Sequence, residues 1–311
     1  MTGSYDAVVV GGGVAGYTAA MYAVRYGLDL VLVEMFAGGG QTATATTIEN
    51  YPGFPEGIEG PELAQRVHQQ AVNVGVELVS AEAKAIRAGE NDRWVLETTK
   101  GDIDTVAVII ATGAQPRSLM VPGEEELRGH GVSYCATCDG FFYRGQTVAV
   151  VGGGNAAVEE ALYLADIVKK LYLIHRRDEL RADKYLQERL FDRDNVEVLW
   201  DSVVTAIEGK DVVERLVLQN TQTEAISSLE VDGLFIAIGH IAKTEWLREL
   251  LNLNQGFIVT DTLMRTSQAG IFACGDIRNT PLRQVATAVG DAAIAAFSAH
   301  NYVNEWKATH R

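Results

Sequence analysis

Two cysteines three positions apart, Cys135 and Cys138, stand in the stretch Ser133-Tyr134-Cys135-Ala136-Thr137-Cys138-Asp139-Gly140. Thiols at that spacing can close a small disulfide and reopen it. A bridge meant only for stability gains more from closing a long loop. C-x-x-C pairs also tend to hold one thiol of depressed pKa, which supplies a thiolate near neutral pH. The competing use of the pair is half of a zinc site, but zinc wants four nitrogen or sulfur ligands, usually a second C-x-x-C or a Cys/His pair. The third and last cysteine, Cys274, lies in the apolar run Gly270 to Asp276 and reads as a small buried hydrophobe. The pair is therefore taken as a redox disulfide, and no metal is expected. What surrounds it has to bring electrons in and take them out.

The first such element opens the chain. Tyr5 to Val10 is short, apolar and β-branched, the pattern of a buried parallel strand. It runs into Gly11-Gly12-Gly13-Val14-Ala15-Gly16, which fits G-x-G-x-x-G, and then into a helical stretch over Tyr17 to Tyr26 and a second strand, Leu28 to Val33, ending at Glu34. Gly11 allows the tight turn, Gly13 lets backbone approach a pyrophosphate, and Gly16 lets helix and strand pack closely. The helix start offers N–H groups to phosphates. Glu34, 23 residues after Gly11, stands where an acid binds a free ribose 2′-hydroxyl.

The pattern recurs. Thr147 to Val151 enters Gly152-Gly153-Gly154-Asn155-Ala156-Ala157, a G-x-G-x-x-A variant, followed by a helix through Val168 and a strand from Leu171 to Ile174. The position 23 residues after Gly152 is His175, followed by Arg176, Arg177 and, four further on, Arg181. Arginines there suit a ribose 2′-phosphate, which guanidinium groups hold in bidentate fashion. The first half is thus expected to take an unphosphorylated adenosine, as in FAD, and the second NADP. The halves match again at Val108 to Gly113 and Leu234 to Gly239. From Glu34 to Val76 is 42 positions but from His175 to Val196 only 21, so the first half carries an insertion within Met35 to Pro61. That insertion, with Gly40, Gln41 and Asn50, has the turn chemistry of a ligand-contacting loop. Beyond Gly239, Lys243 to Leu253 reads as helical, Gly275-Asp276 suits a ribityl contact, and Arg283-Gln284-Val285 precedes a long apolar helix, Ala286 to Ala299. The N-terminus of that helix suits the pyrimidine end of a flavin, or the helix is simply a buried C-terminal element.

With 311 residues the chain has room for about two domains. Hydrophobic residues make up 47% and charged ones 22%, enough for large cores, and 31 glycines against six prolines give many tight turns without a proline-rich linker. A net charge of −15 argues against a nucleic-acid partner, which needs a basic face. Three cysteines are no secreted disulfide framework. The N-terminus lacks a basic leader and no run is long enough to span a membrane. The expectation is a cytoplasmic protein.

Taken together, Gly11 to Gly16, Ala111-Thr112-Gly113, Cys135 to Gly140, Gly152 to Ala157, His175-Arg176-Arg177 with Arg181-Ala182, Gly275-Asp276 and Arg283-Gln284-Val285 resemble the low-molecular-weight thioredoxin reductases, over nearly the whole chain. The resemblance implies an α/β homodimer of two Rossmann-like three-layer domains, with an NADPH domain (about 118–243) inserted into a split FAD domain (about 1–114 and 244–311). It implies FAD contacts at Gly11, Gly13, Ala15, Gly16, Glu34, Gly40, Gln41, Asn50, Ala111, Thr112, Gly113, Gly275, Asp276, Arg283, Gln284 and Val285. NADPH contacts would fall at Gly152, Gly154, Asn155, Ala156, His175, Arg176, Arg177, Arg181 and Gly239. Cys138 would lie against the flavin, Cys135 would attack the thioredoxin disulfide, and Asp139 would carry the proton. His130, Phe141 and Phe142 would meet thioredoxin, and the NADPH domain would swivel to present the cysteines alternately. Ala156 departs from the family's usual Ser or Thr, and His130 from another basic residue. Larger disulfide reductases carry their cysteines soon after the first glycine motif, where residues 34–60 here have none. Related ferredoxin–NADP reductases lack the pair. Alkyl-hydroperoxide-reductase flavoproteins add an N-terminal domain and lack His-Arg-Arg. A redox sensor that only binds a partner has no need of the second nucleotide half.

Overall fold

The computed structural model of the protein describes residues 3–36, 38–45 and 47–310. Strand β1 (Gly3–Val10) lies between β2 (Leu30–Glu34) and a long strand that reaches Ile110. Its side chains alternate between two buried faces. Val9 joins a cluster with the helix α1 (Val14–Arg25), while Val8 and Val10 join Val31, Val33 and Ile110 on the other face. Burial on both faces is why the run is apolar without interruption. The helix begins at Val14 rather than Tyr17, because the last residues of the glycine motif are already its first turn. After it come α2 (Gly60–Asn73), β3 (Glu77–Ser80), β4 (Ala83–Ala88), β5 (Trp94–Thr98) and β6 (Gly101–Ile110).

The sheet runs β3-β2-β1-β6 and forks at β6. The first half of β6 pairs antiparallel with β5, and its last three residues pair in parallel with a strand from near the C-terminus. The insertion holds a 3-10 turn over Gly40–Thr44 and a small hairpin of Thr47–Ile48 with Ile58–Glu59. It folds back onto the glycine motif, where Gly39 N–H donates to Gly12 O at 2.7 Å.

The central part of the chain builds a second sheet. Its elements are β7 (Val132–Ser133), the single-turn α3 (Ala136–Asp139), β8 (Thr147–Gly152), α4 (Asn155–Ala165), β9 (Lys170–Ile174), α5 (Lys184–Phe191) and β10 (Val196–Leu199). They are followed by β11 (Ser202–Glu208), β12 (Arg215–Asn220), β13 (Ile226–Glu230) and β14 (Gly233–Ala237). The parallel order β10-β9-β8-β14 repeats β3-β2-β1-β6 of the first half, while β11, β12 and β13 form a separate antiparallel sheet. Strand β15 (Ile271–Ala273) and helix α6 (Val285–Thr309) complete the first sheet and its helical layer. Alanines on facing turns, Ala15, Ala19 and Ala23 on α1 with Ala292, Ala296 and Ala299 on α6, share one buried cluster.

The chain divides into two compact units, 1–115 with 241–311, and 116–240. One expected helix is absent. Lys243 to Leu253 contains only a 3-10 turn, Glu245–Leu247. Its apolar residues Leu247 and Leu251 do pack into the core as a helix would place them. The backbone is instead tied to distant side chains: Gln268 Nε2 donates to Leu250 O, and Ser267 Oγ accepts from Asn252 N. Side chains that satisfy backbone groups in this way compete with a helical ladder.

Candidate active site

Three local assemblies carry the chemistry, and each is built within one unit. In the first glycine turn, Gly11 has φ 108°, and a Cβ there would sit 2.6 Å from Ala111 O. A Cβ on Gly16 would lie 1.8 Å from Gly11 O, so no other residue fits either place. Gly13 is open, its nearest neighbour being Gly40 Cα at 4.0 Å. No side chain caps α1 and no acid occupies its first turn, which leaves its N-terminus suited to an external anion. The Glu34 carboxylate accepts from Gly12 N–H and, at 2.8 Å, from Phe36 N–H. It is thereby fixed beside the turn with lone pairs to spare. Gln41, Asn50 and Thr112 are exposed near these elements, and Asn50 donates to Gln284 Oε1 at 3.0 Å.

Gly275, at φ 72°, abuts the same helix start: its Cβ would lie 2.9 Å from the Ala15 Cβ. The next residue, Asp276, is largely desolvated, which pushes its carboxyl up to about 6 even though Arg283 pulls it down. Burial conversely lowers the Arg283 guanidinium. Its Nε is buried without a hydrogen-bond partner and the group lies over the Phe257 ring at 4.3 Å. A buried donor without an acceptor costs free energy, so Arg283 fits a site that receives an anionic or carbonyl group. Helix α6 starts at Val285 behind a capping box in which Gln284 and Thr287 satisfy each other's backbone groups. Its N-terminus is therefore better satisfied internally than that of α1.

The second glycine turn has the same form with different fillings. A Cβ on Gly152 would strike Ala157 Cβ at 2.4 Å and Ala237 O at 2.5 Å, while Gly154 has nothing within 4 Å. Helix α4 also lacks a side-chain cap. Asn155 and Asp183 exchange two hydrogen bonds, 2.8 and 2.9 Å, and Arg181 N–H donates to Gly153 O at 2.7 Å. These bonds hold the arginine loop against the turn. Arg176, Arg177 and Arg181 are exposed, and none forms an ion pair with a carboxylate among the described residues. His175 does not stand with them. Its ring is buried under the turn, Nδ1 is 2.8 Å from Gly152 O, and Gly153 is glycine because a Cβ would lie 2.2 Å from the ring. Burial pushes its pKa down, so the ring is a neutral support of the turn rather than a cationic ligand. Ala156 is exposed on the first turn of α4, and Gly239 has φ 99° at the end of the strand region following β14.

The cysteine turn follows β7. Cys135 caps α3, and Cys135 and Cys138 form a disulfide with Cα atoms 5.3 Å apart. Both are half-buried. Ser133 Oγ donates to Asp139 Oδ2 at 2.6 Å and accepts from Cys135 N–H at 3.1 Å, so one hydroxyl fixes both the acid and the first cysteine. Tyr134 donates to Glu124 Oε1 at 2.8 Å, and Glu124, 3% exposed, also accepts from Leu119 N–H, Met120 N–H and Ser118 Oγ. Sequence reasoning missed Ser133 and Glu124 as positioning groups. Ser133 lay in the motif two residues before Cys135, whereas Glu124 is one of three successive acids with nothing in the sequence to single it out. Past the disulfide, Phe141 and Phe142 are 59% and 50% exposed, with Arg144 over the Phe141 ring, and His130 is exposed. Cys274 is fully buried, and burial pushes its thiol far above the usual range, so it does not supply a thiolate.

The sequence matches the pyridine nucleotide-disulphide oxidoreductase family over residues 5–292. The chain belongs to that family. Within this family of oxidoreductases it is similar to thioredoxin reductases from end to end. It is 43% identical to thioredoxin reductase of Bacillus subtilis over 98% of this chain and 96% of that one, and 41% identical to thioredoxin reductase of Treponema pallidum over 98% and 99%. The crystal structure of thioredoxin reductase from Streptococcus pyogenes superposes with a TM-score of 0.92 at 44% identity, covering 97% of this chain and 99% of that one. The Cys135–Cys138 disulfide fits the redox-active C-x-x-C pair of such an oxidoreductase. No helix among the described residues is long and apolar enough to cross a membrane, and no cluster of three or more metal-ligating side chains occurs among them.

Proposed function

We propose that the protein is an NADPH-dependent thioredoxin-disulfide reductase that holds FAD in the unit 1–115 with 241–311 and NADPH in the unit 116–240, acting in the cytoplasm as a homodimer. The observation that carries this reading is the half-buried Cys135–Cys138 disulfide in a chain that also has two uncapped helices behind open glycine turns. The residues fit the two groups. Gly13, the start of α1, Glu34 and Arg283, whose buried Nε has no hydrogen-bond partner, suit the pyrophosphate, ribose and flavin of FAD. Gly154, the start of α4 and the unpaired Arg176, Arg177 and Arg181 suit the pyrophosphate and 2′-phosphate of NADPH. When bound, the nicotinamide and flavin supply two electrons to a disulfide.

The rest is thiol–disulfide exchange. Cys135 as thiolate attacks one sulfur of the partner's disulfide, forming a mixed disulfide and expelling a partner thiolate. Cys138 then attacks Cys135, re-forming their bond and releasing the second partner thiolate. Asp139, held by Ser133 and next to Cys138 in the chain, moves the proton between solvent and sulfur. The exposed Phe141 and Phe142 give the partner an apolar contact beside the disulfide. The test is to add NADPH to the purified protein and follow flavin bleaching, then reduction of oxidised thioredoxin. Bleaching without thioredoxin reduction would remove the partner; no bleaching would remove the hydride donor.

A further inference from the structure

Under the cysteine turn lies an acid that the exchange steps above do not use. Glu160, in the second turn of α4, accepts a hydrogen bond from the backbone N–H of Ala136, the residue that follows Cys135. Its other oxygen, Oε2, is buried and has no hydrogen-bond partner. The placement is set by two contacts one helical turn apart. Ala136 and Gly140 of the cysteine turn are four residues apart, and they meet Glu160 and Leu164, also four apart, on one face of α4. A Cβ on Gly140 would lie 2.8 Å from Leu164 Cδ2, so the turn rests directly on the helix. Ala136 itself is fully buried. A buried carboxyl with one satisfied and one orphaned oxygen is costly when ionised, and among the described residues neither a helix cap nor an ion pair explains its presence.

We propose that Glu160 is a positioning residue of the dithiol, a buried carboxyl whose proton occupancy follows the charge on the Cys135–Cys138 pair and so sets the redox equilibrium and thiol acidity of that pair. The inference rests on the pair being redox-active. Reduction breaks the S–S bond with two electrons and leaves sulfur that is partly thiolate at neutral pH. That negative charge, one peptide away from the Ala136 N–H that Glu160 holds, favours the protonated carboxyl, and the added proton comes from solvent. When thiolate leaves in the mixed disulfide, the proton is released again. Burial has already brought the carboxyl up to about 7, within the range where such a coupling is felt. The titratable groups on elements packed against α4 are Asp139 on the cysteine turn, Lys170 and Tyr172 on β9, and Lys184, Tyr185, Glu188 and Arg189 on α5. None contributes to that shift, which comes from burial opposed by the Ala136 bond.

The test is the dithiol–disulfide equilibrium of the holoenzyme in dithiothreitol redox buffers, read by alkylation and mass of the Cys135–Cys138 peptide, for the wild type and Glu160→Gln across pH. The glutamine keeps the acceptor for Ala136 N–H and removes the titration. The two proteins should agree at low pH, where the carboxyl is protonated. Above its titration range the variant should favour the dithiol about tenfold more, with thiols of lower pKa. A gap that does not vary with pH, or no gap, overturns the proposal. Should the variant not fold, the reduced-minus-oxidised infrared spectrum of the wild type and of Asp139→Asn at neutral pH decides: both should gain a carboxylic-acid C=O band, and no gain overturns it. Because dithiothreitol is the reductant, this outcome is independent of whether NADPH reduces the protein, which tests the proposed function.

Discussion

The Ser133 hydroxyl stands 2.6 Å from Asp139 Oδ2 and 3.1 Å from the backbone nitrogen of Cys135, so a single buried side chain links the proposed proton carrier to the first redox cysteine. Ser133→Ala should leave both partners short of a hydrogen bond at a cost of about 1–3 kcal/mol. Turnover with thioredoxin should fall by roughly tenfold or more, short of the full loss of a general acid. Reduction of the flavin by NADPH, followed by rapid mixing, should not change. A variant with full turnover and an unaltered pH profile would show that Asp139 does not depend on Ser133.

Glu124 fastens the chain before the cysteine turn. Burial by itself would raise its carboxyl, but bonds from Tyr134, Leu119, Ser118 and Met120 outweigh burial and hold it below its ordinary value of 4.5. A lowered folded value means that the unfolded chain takes up the proton first. The stabilisation is therefore complete above the ordinary value and is lost as pH falls through the lowered one. Glu124→Gln should be less stable at neutral pH by about 2 kcal/mol and should lose less stability on acidification. Denaturant midpoints at neutral pH and near pH ~4 measure this, and parallel losses in both proteins would contradict it.

Much of this arrangement was readable in the sequence, and the reasons are local. β1 and β8 announce themselves because both faces are buried, so every residue of Val8 to Val10 and Val148 to Val151 is apolar. Gly11 and Gly16 are fixed by sterics that admit only glycine. The repeated glycine motif, followed after 23 residues by Glu34 in one half and His175 in the other, returns in the structure as matching strand orders. What was not readable depended on long-range partners. The periodic apolar residues of 243–253 suggest a helix, yet Gln268 and Ser267 give its backbone other bonds. His175 occupies the register of Glu34 but turns inward, because an aromatic ring packs under Gly153 where a flexible carboxylate reaches a backbone N–H. Glu124 and Glu160 are plain acids in sequence, and only the fold buries them.

The arginine loop predicts nucleotide preference. Arg176 and Arg177 are exposed, and Arg181 is tied by its backbone to the second glycine turn. Arg176→Ala with Arg177→Ala should raise KM for NADPH by about ten- to a hundredfold, the worth of one or two charge-assisted contacts, with kcat little altered and KM for NADH nearly unchanged. His175→Ala should instead lower stability and affect both nucleotides alike, since the ring supports the Gly152 carbonyl. Equal KM changes for both nucleotides in the double arginine variant would exclude a 2′-phosphate site there.

Arg283 offers a sign test for the flavin site. Its Nε is buried without a partner and its guanidinium lies 4.3 Å from the centre of the Phe257 ring, beside an Asp276 whose carboxyl burial pushes up to about 6. Without the cofactor this is a costly arrangement, because a desolvated donor lacks an acceptor. With an anionic or carbonyl group at hand, the same donor becomes a charge-assisted bond. Arg283→Met keeps an apolar stem and removes the desolvated guanidinium together with its contact with Phe257. It should therefore make the flavin-free protein as stable as the wild type or slightly more so, yet weaken flavin binding by roughly tenfold or more. Flavin absorbance per protein after purification, and melting with and without added FAD, read the two effects separately. A flavin-free variant that melts well below the flavin-free wild type, with unchanged FAD affinity, would make Arg283 a structural residue instead.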